Sequence, residues 1–217
     1  MKNKVILFDL DGTLTDPAQG ITKSVAYSLD AYGIGYESLD ALRPFIGPPL
    51  REQFMKYTGF DLKTGEEMVK KYREYYSVTG IYENRVYDGI CQMLEKLKSA
   101  GKTLAVATSK PEKFAKIILE HFDIAKYFDI CAGANMDNSR TNKSEVIQYA
   151  LNLLGISGNK DNVVMVGDRM HDIIGAKENS IRCIGVTFGY GSKEELTQSG
   201  ADMIVNSVSE LADVLLS

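Results

Sequence analysis

Residues 5–16 read VILFDLDGTLTD, and this stretch decides the fold of the chain. An apolar run is followed by Asp9 and Asp11 and then by Gly12, which is typical of a buried strand that ends in a turn. Because side chains alternate along a strand, the two carboxylates can face the same way where the strand ends. Buried carboxylates require a positive partner, and a hard cation with oxygen ligands is the usual one. Asp and Gly are also common in ordinary turns, so other parts of the chain must decide between chemistry and a simple strand end.

Composition narrows the class of protein. The chain has 217 residues, a formal net charge of −4 and three cysteines. This length suggests one large domain or a domain with an insertion, and the charge gives no support for nucleic-acid binding. The cysteines lie far apart without metal-ligand spacing, which favours reduced thiols in a cytoplasmic protein. No apolar run approaches membrane-spanning length, and Asp9 interrupts the first one too early for a signal peptide. We expect a cytoplasmic protein with no membrane partner, and a monomer.

The pattern of helices and strands changes along the chain. Residues 16–83 are helical in pattern and rich in tyrosine, with glycines between the segments. From residue 84 onward, helical and strand-like segments alternate, which predicts a parallel sheet with helices on both faces. The first strand precedes the helical segment and the other strands follow it. The sequence therefore predicts an α/β fold, a doubly wound parallel sheet formed by residues 1–15 and 84–217, with a small α-helical domain inserted at 16–83.

Polar groups follow several of the predicted strands. Ligands of an open parallel sheet bind beyond the carboxyl ends of its strands, so these groups should meet at one edge. A long loop before Lys143 can bring a cation to the same edge. Three carboxylates, a pair of hydroxyls and a lysine at one edge predict a site for a metal and a phosphate. Its members are Asp9 and Asp11 after the first strand, Thr108 and Ser109 after the second, Asp168 after a later one, and Lys143.

These residues stand in the order of four known motifs, and the sequence resembles the haloacid dehalogenase superfamily. The first motif is DLDGT at 9–13, the second is VAT at 106–108, the third is Lys143, and the fourth is GDRMHD at 167–172. The resemblance covers essentially the whole chain and is strongest to the phosphatase branch with a helical cap of the C1 type, including phosphoglycolate phosphatases and related nucleotidases. It implies a Rossmann-like core and a cap inserted after the first motif.

The resemblance also implies roles for the aspartates. Asp9 would attack phosphorus and form an aspartyl-phosphate. Asp11 would protonate the leaving oxygen and then deprotonate the hydrolytic water. Mg²⁺ would be held by Asp9, the backbone carbonyl of Asp11, and Asp168, so that an anionic carboxylate can approach an anionic phosphate.

The remaining motif residues would bind phosphate or orient its ligands. Thr108, Lys143 and a backbone N–H near Ser109 would stabilise charge on the phosphoryl oxygens, and Asp172 would orient Lys143 or a metal-bound water. Each has a structural alternative. Thr108 and Ser109 would serve as a helix N-cap before Pro111, Lys143 as a solvated lysine at a helix start, and Asp172 as a favourable charge at its helix N-terminus.

Other features carry weaker predictions. Lys110 and Arg169 are basic residues near the motifs. They either contact the substrate or are solvated, and residues of this kind are most often solvated. The GYG triplet at 189–191 is too short to indicate dinucleotide binding. The apolar turn FIGPPL at 45–50 resembles a cap segment of the phosphoglycolate phosphatase branch; it either lines the substrate pocket, with Arg51 as an anion contact, or sets the angle between two helices.

The ordered motifs predict a Mg²⁺-dependent phosphomonoesterase for a small phosphorylated metabolite, phosphoglycolate-like or a nucleoside monophosphate. A sugar phosphomutase of the same fold keeps both aspartates and is the nearest alternative. A non-catalytic sensor of a phosphorylated ligand and a protein phosphatase remain as further alternatives. Asp11 argues against the dehalogenase and phosphonatase branches, which lack an acid two residues after the nucleophile.

Overall fold

A computed structural model describes residues 4–137 and 139–217 of the chain. The chain divides into two compact units. The first, which we call the α/β unit, contains the residues up to Asp16 together with Val86–Ser217, and the second, the helical unit, is Pro17–Arg85. The sequence placed the division one or two residues earlier, at 16 and 84.

The strands and helices follow one another in the alternating order that the sequence predicts after residue 84. The strands are β1 Val5–Phe8, β2 Thr15–Asp16, β3 Arg85–Val86, β4 Thr103–Pro111, β5 Ile130–Ala134, β6 Val163–Gly167, β7 Arg182–Val186 and β8 Met203–Val205. The α-helices are α1 Ala18–Ala31, α2 Leu50–Thr58, α3 Leu62–Tyr75, α4 Ile90–Ser99, α5 Glu112–His121, α6 Lys143–Leu153, α7 Met170–Glu178, α8 Lys193–Ser199 and α9 Val208–Leu216. Short 3₁₀-helices span Asp40–Phe45 and Ala125–Tyr127, and a π-helix spans Tyr76–Gly80.

The α/β unit is built on one six-stranded sheet in the order β5-β4-β1-β6-β7-β8, with every pair parallel. Strand β1 lies in the middle, with Val5 opposite Thr103 on one side and Val163 on the other. The chain builds outward from β1 through β4 to β5 and then crosses to β6 on the other side. The strand order therefore reverses at β1, which is where open sheets of this kind bind ligands. The predicted fold class is confirmed.

Packing on the sheet explains why these segments form helices. Helix α6 buries Val146, Ile147, Ala150 and Leu151 in a core cluster that also contains Leu7 of β1. This is the helical face that the spacing of apolar residues predicts. Burial of each valine, isoleucine or leucine side chain contributes about 1.5–3 kcal/mol relative to exposure, so tertiary packing stabilises these short helices.

The sequence pattern also predicts that Asp88 caps a helix, that a strand ends at Ala107 and that a helix begins at Asp172, and the structure differs in all three places. Asp88 does not cap α4, because the N-cap is Gly89, which has a φ of 88°. Strand β4 runs on to Pro111 rather than ending at Ala107, with an irregular register against β5 after Thr108. Helix α7 begins at Met170, two residues before the predicted start.

The helical unit has its own core, formed by residues such as Leu29, Phe54 and Met68. In the turn at 45–50, Phe45 and Ile46 are almost completely buried, and the Phe45 ring packs on Phe54 with centroids 5.0 Å apart. These two side chains thus serve the core of the helical unit. Arg51 pairs with Glu52 at 2.7 Å. Within the described parts of the chain, no helix combines the length and apolar character needed to cross a membrane.

Candidate active site

The carboxyl ends of three neighbouring strands bring the predicted residues together. Asp9 directly follows β1, Thr108 lies in β4, and Asp168 directly follows β6. Because β4 and β6 flank β1, these side chains lie at one edge of the sheet. Asp9, Thr108 and Asp168 are all buried there, with 8%, 2% and 0% of their surface exposed. Buried polar groups of this kind need partners.

A tight turn shapes the segment that carries Asp9 and Asp11. The amides of Leu14 and Thr15 donate to the Leu10 carbonyl, and Gly12 donates its N–H to the Thr15 carbonyl at 2.7 Å. Gly12 has a φ of +86°, and a Cβ at this position would lie 2.2 Å from the Asp168 carboxylate. Both its dihedral angle and the close approach therefore require glycine. The turn thus places Gly12 of the first motif in close contact with Asp168 of the fourth.

Lys143 lies at the start of α6, where the Asn142 side chain caps the helix by accepting from Ser144 N–H. Its Nζ lies 2.8 Å from Asp9 Oδ1 and 2.8 Å from Asp172 Oδ1, and it donates to the Ala107 carbonyl at 3.2 Å. Burial disfavours the ammonium, but the two carboxylates outweigh it and raise the pKa of Lys143 above its ordinary value. The alternative of a solvated lysine is therefore wrong, because Lys143 is only 5% exposed.

Asp172 makes contacts consistent with both alternatives, one with the start of α7 and one with Lys143. Its Oδ2 accepts the N–H of Arg169 at 3.0 Å, which caps the start of α7, and its Oδ1 contacts Lys143. Burial, opposed by Lys143, raises the pKa of the Asp172 carboxyl to about 6. One carboxylate thus fixes a helix end and a lysine.

Lys110 was expected to be solvated, and this prediction was wrong. Its Nζ lies 2.5 Å from Asp11 Oδ2, and the side chains are only 6% and 14% exposed. Burial raises the pKa of the Asp11 carboxyl, while Lys110 acts to lower it. The other oxygen, Asp11 Oδ1, is buried and accepts no hydrogen bond from the residues that the structure describes. A signal for this pair exists in the sequence: Lys110 stands two residues after Thr108, and alternate residues of a strand share a face.

Thr108 and Ser109 do not cap a helix. Helix α5 begins at Glu112 with Pro111 at the N-cap position, so the N-cap alternative was wrong. The Thr108 hydroxyl instead accepts the N–H of Lys110 at 3.2 Å. This bond turns the end of β4 and places the Lys110 backbone beside the buried threonine.

Two residues outside the predicted site, Thr13 and Tyr190, hold the Asp168 carboxylate. The hydroxyl of Thr13 donates to Asp168 Oδ1 at 3.4 Å, and the N–H of Tyr190 donates to Oδ2 at 2.8 Å. Burial, together with the charges of Asp172 and Asp9, raises the pKa of the Asp168 carboxyl well above its ordinary value. These two hydrogen bonds orient the Asp168 carboxylate.

The donor set fits a divalent cation. Asp9, Asp168 and Asp172 are buried, and each offers a carboxylate oxygen within 4.8 Å of the others. Lys143 contacts two of these three carboxylates, so negative charge exceeds positive charge in the cluster. Carboxylate oxygens are the ligands that hard divalent cations prefer, and a cation of charge +2 would balance the cluster.

Comparison with known proteins gives three informative relatives. The chain is 50% identical over 191 residues to a 5'-nucleotidase of Pseudomonas aeruginosa, covering 88% of this chain and 86% of the relative. It is 37% identical over 214 residues to the tyrosine-protein kinase PtkA of Mycobacterium tuberculosis, covering 98% and 72%. It is 31% identical over 221 residues to a phosphoglycolate phosphatase of Vibrio parahaemolyticus, covering 98% and 96%.

Solved structures agree with the sequence relatives. The crystal structure of a predicted phosphatase from Clostridium acetobutylicum has a TM-score of 0.95 and 50% identity, covering 100% of this chain and 99% of that one. The haloacid dehalogenase-like hydrolase family matches residues 6–186, which include all four motifs. This chain therefore belongs to the haloacid dehalogenase-like hydrolase family, in a group with named phosphatases.

Proposed function

We propose that this protein is a Mg²⁺-dependent phosphomonoesterase that hydrolyses a small phosphorylated metabolite through an aspartyl-phosphate. The observation that carries the proposal is the buried cluster in which Lys143 contacts Asp9 at 2.8 Å among three carboxylates. Burial of such a cluster lowers the stability of the fold. Transfer of a phosphoryl group needs both a nucleophile and concentrated positive charge, and this cluster supplies both.

The proposed nucleophile is Asp9. One of its carboxylate oxygens attacks phosphorus in line, the bond between phosphorus and the leaving oxygen breaks, and an aspartyl-phosphate forms. Water then attacks that phosphorus, the bond between phosphorus and the Asp9 oxygen breaks, and inorganic phosphate leaves as the Asp9 carboxylate is regenerated. Asp9, the backbone carbonyl of Asp11 and Asp168 would hold Mg²⁺, which when bound supplies the positive charge that lets a carboxylate approach a phosphate.

Asp11 is the proposed acid and base. In the first step it donates a proton to the leaving oxygen, and in the second it accepts a proton from the attacking water. Its raised pKa, caused by burial, favours the protonated form that the first step requires. Lys110, at 2.5 Å from Oδ2, opposes that rise in pKa. The carboxyl can therefore also lose its proton and act as the base in the second step.

Lys143, Thr108 and a backbone N–H near Ser109 are the proposed ligands of the phosphoryl oxygens. Lys143 supplies charge, which is worth more in a buried site than in water. Asp172 orients Lys143 through their 2.8 Å contact and holds its own place through the Arg169 N–H.

The substrate class is inferred from the relatives. The names 5'-nucleotidase and phosphoglycolate phosphatase support a nucleoside monophosphate or a small phosphorylated acid. The helical unit is proposed to act as the cap domain of the family, and differences within such units are where we expect specificity to lie.

Phosphate release from a metabolite panel tests the proposal. The panel contains nucleoside monophosphates, phosphoglycolate, sugar phosphates and pyrophosphate, each assayed with Mg²⁺ and with chelator. We expect Mg²⁺-dependent release that is strongest for one compound class. Absence of release from every compound would contradict the proposal. Transfer of the phosphoryl group to a second sugar position instead of to water would identify a phosphomutase, and binding without turnover would identify a sensor.

The identity to PtkA supports one further candidate, transfer of a phosphoryl group to a tyrosine. The two candidates differ in the acceptor, since a phosphatase passes the group to water. Incubation with γ-labelled ATP followed by phosphoamino-acid analysis separates them. Label on tyrosine would favour the kinase, and we expect no labelled tyrosine.

A further inference from the structure

The GYG triplet at 189–191, which is too short to indicate dinucleotide binding, lies against the active site. It follows β7, and Ser192 caps the next helix. A Cβ at Gly189 would lie 2.3 Å from the Gly12 carbonyl oxygen and 2.5 Å from Asp168, and one at Gly191 would lie 1.9 Å from the Asp168 carbonyl oxygen. Any larger residue would displace this backbone. The triplet therefore packs closely on both the first and the fourth motif.

Tyr190, between the two glycines, has two polar contacts that join separate parts of the site. Its N–H donates to Asp168 Oδ2 at 2.8 Å, and its hydroxyl donates to Asp16 Oδ1. The residue is half-buried. Asp16 is the last residue of the α/β unit before the inserted helical unit begins. A single residue thus links the Asp168 carboxylate to the end of the first motif segment.

Asp16 is coupled to Asp11 through the backbone. Asp16 and Thr15 form β2, the Thr15 carbonyl accepts the N–H of Gly12 at 2.7 Å, and Thr15 bridges to Asp11. Strand β2 therefore pairs with the segment that contains Asp11 and closes the turn between them. A group that fixes Asp16 also fixes where the Asp11 carboxyl points.

We propose that Tyr190 is a positioning residue, whose hydroxyl holds β2 and through it the acid Asp11, while its N–H holds Asp168. This inference rests on the proposed function, since it assigns Tyr190 to the step in which Asp11 protonates the leaving group. It makes a specific claim about the hydroxyl: its loss weakens acid catalysis and leaves the Asp168 contact in place.

The variant Tyr190→Phe tests that claim through the leaving group. General acid catalysis contributes roughly 10²–10⁴-fold, and it matters most when the leaving group is a poor alkoxide. For the best alkyl phosphate of the panel we expect kcat/KM to fall by about tenfold, a modest part of that range. For para-nitrophenyl phosphate, whose leaving group needs little protonation, we expect a change of about twofold or less. An equal loss for both substrates, or no loss for either, would overturn the inference.

Matched variants separate this role from a general loss of structure. Tyr149→Phe removes a hydroxyl from a ring that packs against Arg140, and we expect it to behave as wild type with both substrates. Asp16→Asn keeps an acceptor for the Tyr190 hydroxyl and should retain most of the activity. Asp16→Ala should show the same leaving-group selectivity as Tyr190→Phe, and adding Tyr190→Phe to it should cost nothing further with the alkyl phosphate.

A binding measurement gives a result that does not depend on turnover. Isothermal titration with Mg²⁺ alone should give Tyr190→Phe a Kd within about twofold of wild type, because the N–H that holds Asp168 is unchanged. A Kd weakened by about tenfold or more would place the hydroxyl in the metal site and overturn the division of roles. If the wild type releases no phosphate at all, the proposed function fails. The Mg²⁺ titration still decides whether the Tyr190 hydroxyl contributes to the metal site.

Discussion

Replacement of Lys143 by methionine tests whether one ammonium stabilises the buried carboxylates. The substitution keeps an unbranched side chain that is one atom shorter, and it removes the charge. Nζ contacts Asp9 and Asp172, each at 2.8 Å, and Lys143 is 5% exposed. Removing one partner of a buried ion pair costs about 3–5 kcal/mol, because the remaining charge is left without compensation. For a chain of this size, about 2–4 °C per kcal/mol gives a fall in Tm of about 6–20 °C.

The fall in Tm should depend on pH. In the metal-free wild type the pKa of Asp172 is raised from 3.8 to about 6, so across this window the folded chain binds more protons than the unfolded chain. Stability then falls as pH rises through the window. Lys143→Met removes an influence that lowers the pKa of Asp172, so the fall extends to higher pH. The deficit relative to wild type should be larger near about pH 8 than near about pH 5.

Thermal unfolding in chelator at both pH values measures this effect, with Lys116→Met as the control. Lys116 pairs with Glu112 at 2.7 Å, but its side chain is 55% exposed, and such a pair contributes about 1 kcal/mol or less. A Lys143→Met protein that melts as close to wild type as the control does, at both pH values, would refute the view that this ammonium compensates the carboxylate cluster.

Two further predictions concern the surroundings of the site. The buried side-chain amide of Asn179 donates to the carbonyl of Ser144, the residue after Lys143, at 2.9 Å. Asn179→Ala should therefore lower the free energy of unfolding, measured in urea, by about 1–3 kcal/mol. Asn152→Ala, on the exposed face of α6, should leave it unchanged. Lys110 lowers the pKa of the Asp11 carboxyl against the effect of burial. Because the acid must be protonated in the first step, Lys110→Met should move the alkaline fall of kcat/KM to higher pH; an unchanged or lower position would contradict the pairing.

The sequence predicts the sheet and its edge well because the buried strands are short apolar runs that end in polar residues. Val5–Phe8 and Val163–Gly167 are apolar because helices cover both faces of the sheet. Once these strands are placed in one sheet, Asp9 and Asp168 meet at its carboxyl edge by topology alone. The order of the four motifs along the sequence then identifies the family, and no interatomic distance is needed.

Contacts made by loop backbone are what the sequence does not reveal. A basic residue near a motif is most often solvated, but β4 continues to Pro111, which pairs with Ala134 of β5, and Lys110 contacts the Asp11 carboxylate. The triplet at 189–191 is too short for a dinucleotide motif, and its glycines are explained by close contact with Gly12 and Asp168. Such contacts join residues that are far apart in the chain, so local sequence patterns do not predict them.

Trapping of the covalent intermediate tests the central claim most directly. Wild-type protein with Mg²⁺ is mixed with its best substrate, labelled in the phosphoryl group, and quenched in acid within the first turnover. We predict protein-bound label that hydroxylamine releases, that maps to the peptide containing Asp9, and that is absent from a folded Asp9→Asn variant. Phosphate release without any protein-bound label, or label on a residue other than Asp9, would contradict the proposed mechanism.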